Sequence, residues 1–483
     1  MVIDALKYQI LQQFGFVPTE EQGQALDAFA RFLTDRDPHA VMILRGSAGT
    51  GKTSLSGAIV RTLKAIRQKV MLLAPTGRAA KVFSLNSGYP AYTIHRRIYR
   101  EKSFAGVDGQ FNLNDNLFTD TLFMVDEASM ISNLGFGGGN FGSGCLLDDL
   151  VRFVYQGHND RLMLIGDKAQ LPPVGEEESP ALNRMMLEGY GLKVYECDLN
   201  EVLRQSQESG ILYNATVIRQ MITHDDITQL PLIRFKGFAD IVMMPGNELV
   251  ESLANSYYRV GQDETMVITR SNKRANIYNN GIRNMVLDRE DELSCGDMLM
   301  IVKNNYFWTE KERNEAKEAL NAIPPFLANG DRAKVLRVSR HMELYGFRFA
   351  TLLLQFPDYD NYEMSVTALL DTLQSEAPAL THEQQEQLFH GVEEDYQDVP
   401  LKADRMKAIR GDQYFNALQV KYAYAITCHK AQGGQWEHVY VDQGYMTDDM
   451  LTPDYIHWLY TAFTRAKDKL FLVNWPKTQT EQA

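Results

Sequence analysis

Short apolar runs recur along the chain, each ending in glycine, proline or an acid, and stretches of helical periodicity lie between them. In the first third, "AVMILRG", "KVMLLAPT", "TLFMVDE" and "RLMLIGD" predict buried strands whose C-terminal ends deliver functional residues, with "TSLSGAIVRTLKAI" as an intervening helix. A second series starts near residue 196. It runs through the helix "ILYNATVIRQMI", the strand "ADIVMMP", the helix "NELVESLANSYYRV" and the strand "TMVITR", followed by "ANIYNNGIRNMV". It resumes after residue 418 with "VKYAYAIT", "EHVYVDQ", the helix "DYIHWLYTAFTRA" and the strand "KLFLVNW". This alternation predicts an α/β fold of two parallel-sheet units, one over 1–195 and one over 196–294 and 417–483.

The intervening 295–416 has another texture. "GDMLMIVKNNYFW", "DRAKVLRVS" and "FRFATLLLQF" alternate at period two, and the acids around Glu393, Glu394 and Asp395 read as solvated, so a small β-rich domain is expected there. A polar insertion at 99–119 with Gly106 and Gly109 suits a short hairpin. The glycines of 135–144 have G-x-G-x-x-G spacing, but no strand runs into them and no suitably spaced acid follows, so they read as a loop.

A chain of 483 residues accommodates about three domains at roughly 150 residues each. Its 45% hydrophobic and 23% charged residues suit a soluble globular protein, and no apolar run approaches the roughly 20 residues that cross a bilayer. With no basic leader or cleavage site in "MVIDALKYQILQQFGF", a cytoplasmic location and no membrane partner are expected. Cys145, Cys197, Cys295 and Cys428 are too widely spaced for a paired zinc motif or a small disulfide framework. The net charge of −13 argues against a nucleic-acid partner only on average, since one basic and aromatic channel can sit inside an acidic shell.

The chemistry begins at Gly46, Ser47, Ala48, Gly49, Thr50, Gly51, Lys52 and Thr53, followed by Ser54. This G-x-x-x-x-G-K-T loop leaves a predicted strand and opens a helix. Its amides cradle phosphates, Lys52 reaches the β- and γ-phosphates, and the Thr53 hydroxyl ligates Mg²⁺. Downstream, "FMVDEASM" ends a strand in Asp126, suited to the metal's outer shell, and Glu127, suited to polarising the attacking water. In "LIGDKAQLPPVG" the strand end and the stiff Pro-Pro hold Gln170 for the γ-phosphate.

"APTGRAAKVF", "VDEASM", "GDKAQLPPVG", "EVLRQ", "AITCHKAQGGQW" and "YTAFTRAK" together resemble the ordered motifs of superfamily 1 DNA helicases, of the RecD, Dda and Pif-like branch. The resemblance runs from Gln22 to about Leu472. It implies two RecA-like P-loop NTPase domains, with a hairpin pin in the first and a small Src-homology-three-like β-barrel in the second. It also implies ATP and Mg²⁺ as cofactors, Gln22 on the adenine edge, Gln432 and Gly433 near the nucleotide, and Arg204 and Arg465 as the arginines that meet the γ-phosphate. For the nucleic-acid strand it implies Pro75, Thr76, Arg78, Thr93 and His95 on one unit and Thr427, His429 and Lys430 on the other. Phe83 and Tyr306 are candidate stacking rings.

The expected activity is ATP-dependent 5′-to-3′ translocation on single-stranded DNA by a monomer that opens duplex junctions, in repair, recombination or replication. Two alternatives stand beside it: a nucleic-acid-stimulated ATPase that remodels protein–nucleic acid complexes, and a P-loop kinase or regulator that acts without nucleic acid.

Overall fold

The computed structural model describes residues 2–481 apart from 105–108, 136–141, 203–207, 225–227, 316–322 and 325; within its elements the side chains of Val2 and of 101–111 are not described. The strands of the first unit are β1 Ala40–Gly46, β2 Lys69–Ala74, β3 Ala91–Thr93, β4 Tyr99–Phe104, β5 Gly109–Leu113, β6 Thr121–Val125, β7 Arg161–Gly166 and β8 Lys193–Leu199. Six of them form a sheet in the order β3-β2-β6-β7-β1-β8, and every pairing is parallel.

Burial on both faces explains the unbroken apolar runs. Met42 and Leu44 of β1 pack with Phe29, Leu55 and Ile59 from helices Glu20–Leu33 and Lys52–Ala65. Val41 and Ile43, one residue out of step, pack on the other side with Leu147, Leu150 and Phe153 of helix Leu146–Gln156. β8 extends to Leu199, so the sheet runs past the expected boundary at 195. β4 and β5 form the antiparallel hairpin expected within 99–119. Of the glycine-rich 135–144, residues 136–141 lie outside the described residues.

The second unit begins with β9 Ile241–Met244 and β10 Thr265–Thr269. Next come β11 Met298–Ile301, β12 Arg332–Leu344, β13 Phe347–Phe356, β14 Tyr362–Leu369 and β15 Leu418–Tyr422, which close into a five-stranded barrel. Tyr345 and Gly346 turn β12 into β13 with φ of 58° and 79°, the two left-handed residues that a tight hairpin of matching twist requires. β16 Ala425–Thr427, β17 Trp436–Asp442 and β18 Ala466–Val473 then complete a parallel sheet in the order β16-β10-β17-β18-β9.

Two expectations need correction here. "VKYAYAIT" is not one strand. β15 pairs with β11 and β14 to shut the barrel, because closure leaves no free edge, and the chain crosses at Ala423 and Tyr424 to begin β16 beside β10. The inserted barrel therefore ends beyond residue 416. The insertion also holds helices Phe307–Glu315, His382–Asp395 and Lys402–Arg410, and the acids at 393–395 belong to the second of these.

The two units meet along helix Pro453–Phe463, whose residues 458–463 are all buried. The loop after β7 leaves the first sheet and buries Ala169 and Leu171 in the second unit's core. Among the described residues, no helix is long and apolar enough to cross a membrane.

Candidate nucleotide and strand-binding site

The phosphate loop joins β1 to helix Lys52–Ala65. Gly49 and Gly51 sit at φ of 78° and 75°, which glycine adopts without the steric cost paid by a residue with a Cβ. Gly46 also has no room for a side chain, since a Cβ there would lie 2.9 Å from the Thr50 hydroxyl. Lys52 Nζ donates to the Gly46 carbonyl at 3.0 Å, while Thr53 and Ser54 stand exposed at the helix start. The loop's base is fixed by Gln22. Its Nε2 donates to the Thr50 carbonyl at 2.9 Å and its Oε1 accepts from the Thr19 amide at 3.0 Å, so this 1%-exposed amide holds the loop itself.

The carboxylates follow β6. Glu127 sits at φ 52°, ψ 37°, a left-handed backbone that is strained for a residue with a Cβ. Its Oε2 is buried and has no hydrogen-bond partner among the described residues. Burial, and then the neighbouring Glu127 charge, hold the Asp126 carboxyl above the usual carboxylate range, with Lys52 opposing both. Gln170 is 5% exposed and its Oε1 likewise has no partner. Three polar groups carried by the loop and by the segments after β6 and β7 therefore keep unused capacity: the Lys52 ammonium, Glu127 Oε2 and Gln170 Oε1. These donors suit a phosphate tail and a hard divalent cation such as Mg²⁺, with Thr53 and Asp126 as the residues that would hold the metal.

The second unit reaches this loop through two side chains that were not among the expected site residues, Tyr460, which opens the "YTAFTRAK" motif, and Arg219. The Tyr460 hydroxyl accepts from the Ala48 amide at 3.0 Å and donates to Asp167 Oδ2 at 2.7 Å. The Arg219 guanidinium donates to the Ser47 hydroxyl and, at 3.3 Å, to the Asn200 carbonyl; it forms no ion pair among the described residues. The loop after β7 is stitched to the same unit by Leu171 N–H on the Thr461 hydroxyl at 2.8 Å and by Gln432 Nε2 on the Leu171 carbonyl at 2.7 Å.

Of the two expected arginines, Arg204 lies outside the described residues. Arg465 is 3% exposed and spends its donors inside its own unit, on the Thr461 and Gly434 carbonyls and the Thr464 hydroxyl. In this arrangement it does not touch the phosphate loop.

The strand candidates divide into groups. Pro75 and Thr76 follow β2, and the Thr76 hydroxyl caps helix Gly77–Ser87 by accepting from Ala79 N–H at 3.2 Å. Arg78 crosses the cleft, donates to the Gln435 carbonyl at 3.1 Å and lies over the Trp436 ring at 4.4 Å. Gly433, at φ 71°, approaches Thr76 and Ala79 so closely that a Cβ would lie 3.0 Å from that of Ala79. Thr427 and Lys430 are half-buried, and His429 is exposed. Lys430 Nζ has no hydrogen-bond partner among the described residues, and burial together with the Lys421 charge pushes its pKa down to about 8.

Thr93 is buried and caps helix Ile94–Ile98. The His95 imidazole is pushed down to about 4 by burial. Phe83, a candidate stacking ring, is instead 1% exposed in the first unit's core with Leu55 and Leu72, so a base has no access to it. Tyr306 stacks on Phe326 with centroids 5.0 Å apart.

The family profile described as "AAA domain" matches residues 19–227, and that of the "UvrD-like helicase C-terminal domain" matches 422–473. Together they span the phosphate loop and the Tyr460 helix. Two curated helicases align with parts of the chain. The ATP-dependent RecD2 DNA helicase of Deinococcus radiodurans is 31% identical over 157 residues, which is 32% of this chain and 18% of that protein. The ATP-dependent DNA helicase dda of Enterobacteria phage T4 is 24% identical over 292 residues, 59% of this chain and 60% of that protein.

The chain is thus similar to superfamily 1 helicases of the RecD, Dda and Pif-like branch.

An uncharacterized relative, R530 of Acanthamoeba polyphaga mimivirus, is 22% identical and aligns over 90% of this chain and 96% of its own length. By contrast, the chain spans only 14% and 18% of the length of the first two curated relatives it matches. Among solved structures, Pif1 helicase from Bacteroides, crystallised with ADP-AlF3 and single-stranded DNA, superposes with a TM-score of 0.47 at 14% identity, covering 97% of this chain and 95% of that one.

Arg219 and Tyr460 meet the phosphate loop and were not among the site residues expected from the sequence. A signal for Tyr460 was present: it is the first residue of the motif "YTAFTRAK", five positions before Arg465. Arg219 stands in helix Gly210–Thr223 with no local mark at all.

Proposed function

We propose that the protein is an ATP-dependent DNA helicase that moves 5′-to-3′ along single-stranded DNA and opens duplex at junctions. One observation carries this reading: the nucleotide elements and the strand candidates lie along the same seam between two α/β units. Tyr460 and Arg219 meet the phosphate loop, and Gly433 and Arg78 meet across the loops named for the strand.

A cleft with both kinds of site on its walls converts differential nucleotide contacts into relative motion of those walls. Backbone amides of 46–53 and Lys52 bind the phosphate tail. Thr53 and Asp126 hold Mg²⁺, which when bound neutralises charge on the phosphates. Glu127 Oε2 takes the proton of the attacking water, and Gln170 orients that water. Arg219 and Arg465 stabilise the phosphate charge, Arg465 after leaving the Gly434 carbonyl as the cleft rearranges around nucleotide. Thr76 and neighbouring amides hold one backbone phosphate of the strand, and Thr427, His429 and Lys430 hold another on the opposite wall. The β4–β5 hairpin serves as the separation pin.

Strand displacement with matched 5′-tailed and 3′-tailed duplexes of DNA and RNA tests the reading. Unwinding of the 5′-tailed DNA alone is expected. Hydrolysis indifferent to single-stranded DNA, or unwinding from a 3′ tail, overturns it or its polarity respectively.

A further inference from the structure

We propose that Tyr460 is a positioning residue through which occupancy of the phosphate loop sets the grip on the strand. The inference rests on the helicase reading above. Tyr460 is 1% exposed, and its hydroxyl joins three segments at one atom: it accepts from Ala48 N–H at 3.0 Å, donates to Asp167 Oδ2 at 2.7 Å, and belongs to the helix that precedes Arg465.

From the Tyr460 backbone, to which that ring is attached, a series of hydrogen bonds leads to the other end of the seam. The Thr464 hydroxyl donates to the Tyr460 carbonyl at 3.0 Å, Arg465 Nη2 donates to the Thr464 hydroxyl at 3.1 Å, and Arg465 Nη1 donates to the Gly434 carbonyl at 3.1 Å. Gly434 in turn abuts Arg78, and Gly433 abuts Thr76, the side chains that face the strand site.

The phosphate loop and the strand loops are thus connected by polar groups that are buried from Tyr460 to Gly434 and partly buried at Ala48. An unpaired buried donor is disfavoured, so a shift of Ala48 around an incoming phosphate tail is followed by the Tyr460 hydroxyl and its helix. The same movement alters what Arg465 offers Gly434. By linkage, the nucleotide then changes strand affinity by the same factor as the strand changes nucleotide affinity.

The test is a thermodynamic cycle on the full chain. Anisotropy of a fluorescein-labelled oligothymidylate gives the Kd without nucleotide and with saturating ADP or the non-hydrolysable analogue AMP-PNP. The ratio of these values within one variant cancels uniform losses of affinity. The wild type is expected to show a ratio of about fivefold or more for at least one nucleotide. Tyr460→Phe, which removes only the hydroxyl, brings that ratio to within about twofold of one. Thr464→Val, which cuts the series further along, does the same and decides the matter if the phenylalanine variant fails to fold. Wild-type ratios in both folded variants overturn the inference. Failure of the wild type to bind the oligonucleotide overturns the helicase reading instead.

Discussion

Gly434→Ala perturbs the seam at one carbon atom. The added Cβ would lie 2.7 Å from Arg78 Nε, 2.7 Å from the edge of the Trp436 ring and 3.1 Å from Arg78 Cδ, all well inside contact distance for such atoms. Gly434 is not in the left-handed region, so the cost is one of packing rather than backbone strain. Arg78 must retreat, which weakens its position over Trp436 and its hydrogen bond to the Gln435 carbonyl. Overpacking of this kind costs about 1–3 kcal/mol; the Arg78 share falls on the contact between the units and the Trp436 share on the second unit itself. The Arg78 share alone lowers the closed population, by about fivefold for each kcal/mol it carries.

Steady-state ATP turnover at saturating oligothymidylate measures the effect, with thermal melting as the control for global stability. Single-stranded-DNA-stimulated turnover, measured well below the melting temperature of the variant, should fall by at least about fivefold, while the Trp436 contact lowers that melting temperature. Arg78→Ala in the same chain removes one of the two clashing groups and should recover part of the loss. Wild-type turnover in Gly434→Ala, or a double variant no better than the single one, refutes the packing argument.

Glu127→Gln should retain nucleotide binding and lose turnover by about 100-fold or more, because an amide cannot accept the water's proton; phosphate release beside fluorescent-nucleotide binding measures both, and wild-type turnover would place the base elsewhere. Arg219→Gln removes a cation that forms no ion pair among the described residues and rests on the Ser47 hydroxyl. Hydrogen bonds to charged groups contribute about 1.5–3 kcal/mol, and half-exposure reduces this, so KM for ATP should rise about tenfold; an unchanged KM would make Arg219 a purely structural contact. Lys430, with its pKa held near 8 and below the usual lysine value, loses charge as pH rises through that value. Affinity for single-stranded DNA should decline from pH 7 to 9 at fixed ionic strength. Lys421, pushed down to about 8 by burial, titrates in the same window, so Lys430→Arg, which keeps its charge, isolates the Lys430 contribution; an identical decline in that variant contradicts the assignment.

Local sequence carried much of the site because much of the site is local. The loop 46–53 needs glycine where φ is positive and lysine at the helix start, and both requirements are met within eight consecutive residues. The same holds for Asp126 and Glu127 at a strand end, and for the two parallel sheets, whose apolar runs record burial on both faces. Two local signals misled. "VKYAYAIT" has the periodicity of one strand, yet barrel closure claims its first part and the second sheet its last. Phe83 has the chemistry of a stacking ring but packs on the core side of helix Gly77–Ser87.

What the sequence determined by itself was the element order, the phosphate loop and the carboxylates that serve it. Only the tertiary structure decided which residues face them from the other unit. Tyr460 reaches Ala48 across 412 residues and Arg78 reaches Gln435 across 357. Such pairings leave no period or spacing in the chain, because they are selected by how two independently patterned cores pack together. The same packing turned Arg465 onto Gly434 and gathered the loop ends, the strand candidates and the Tyr460 helix into one seam.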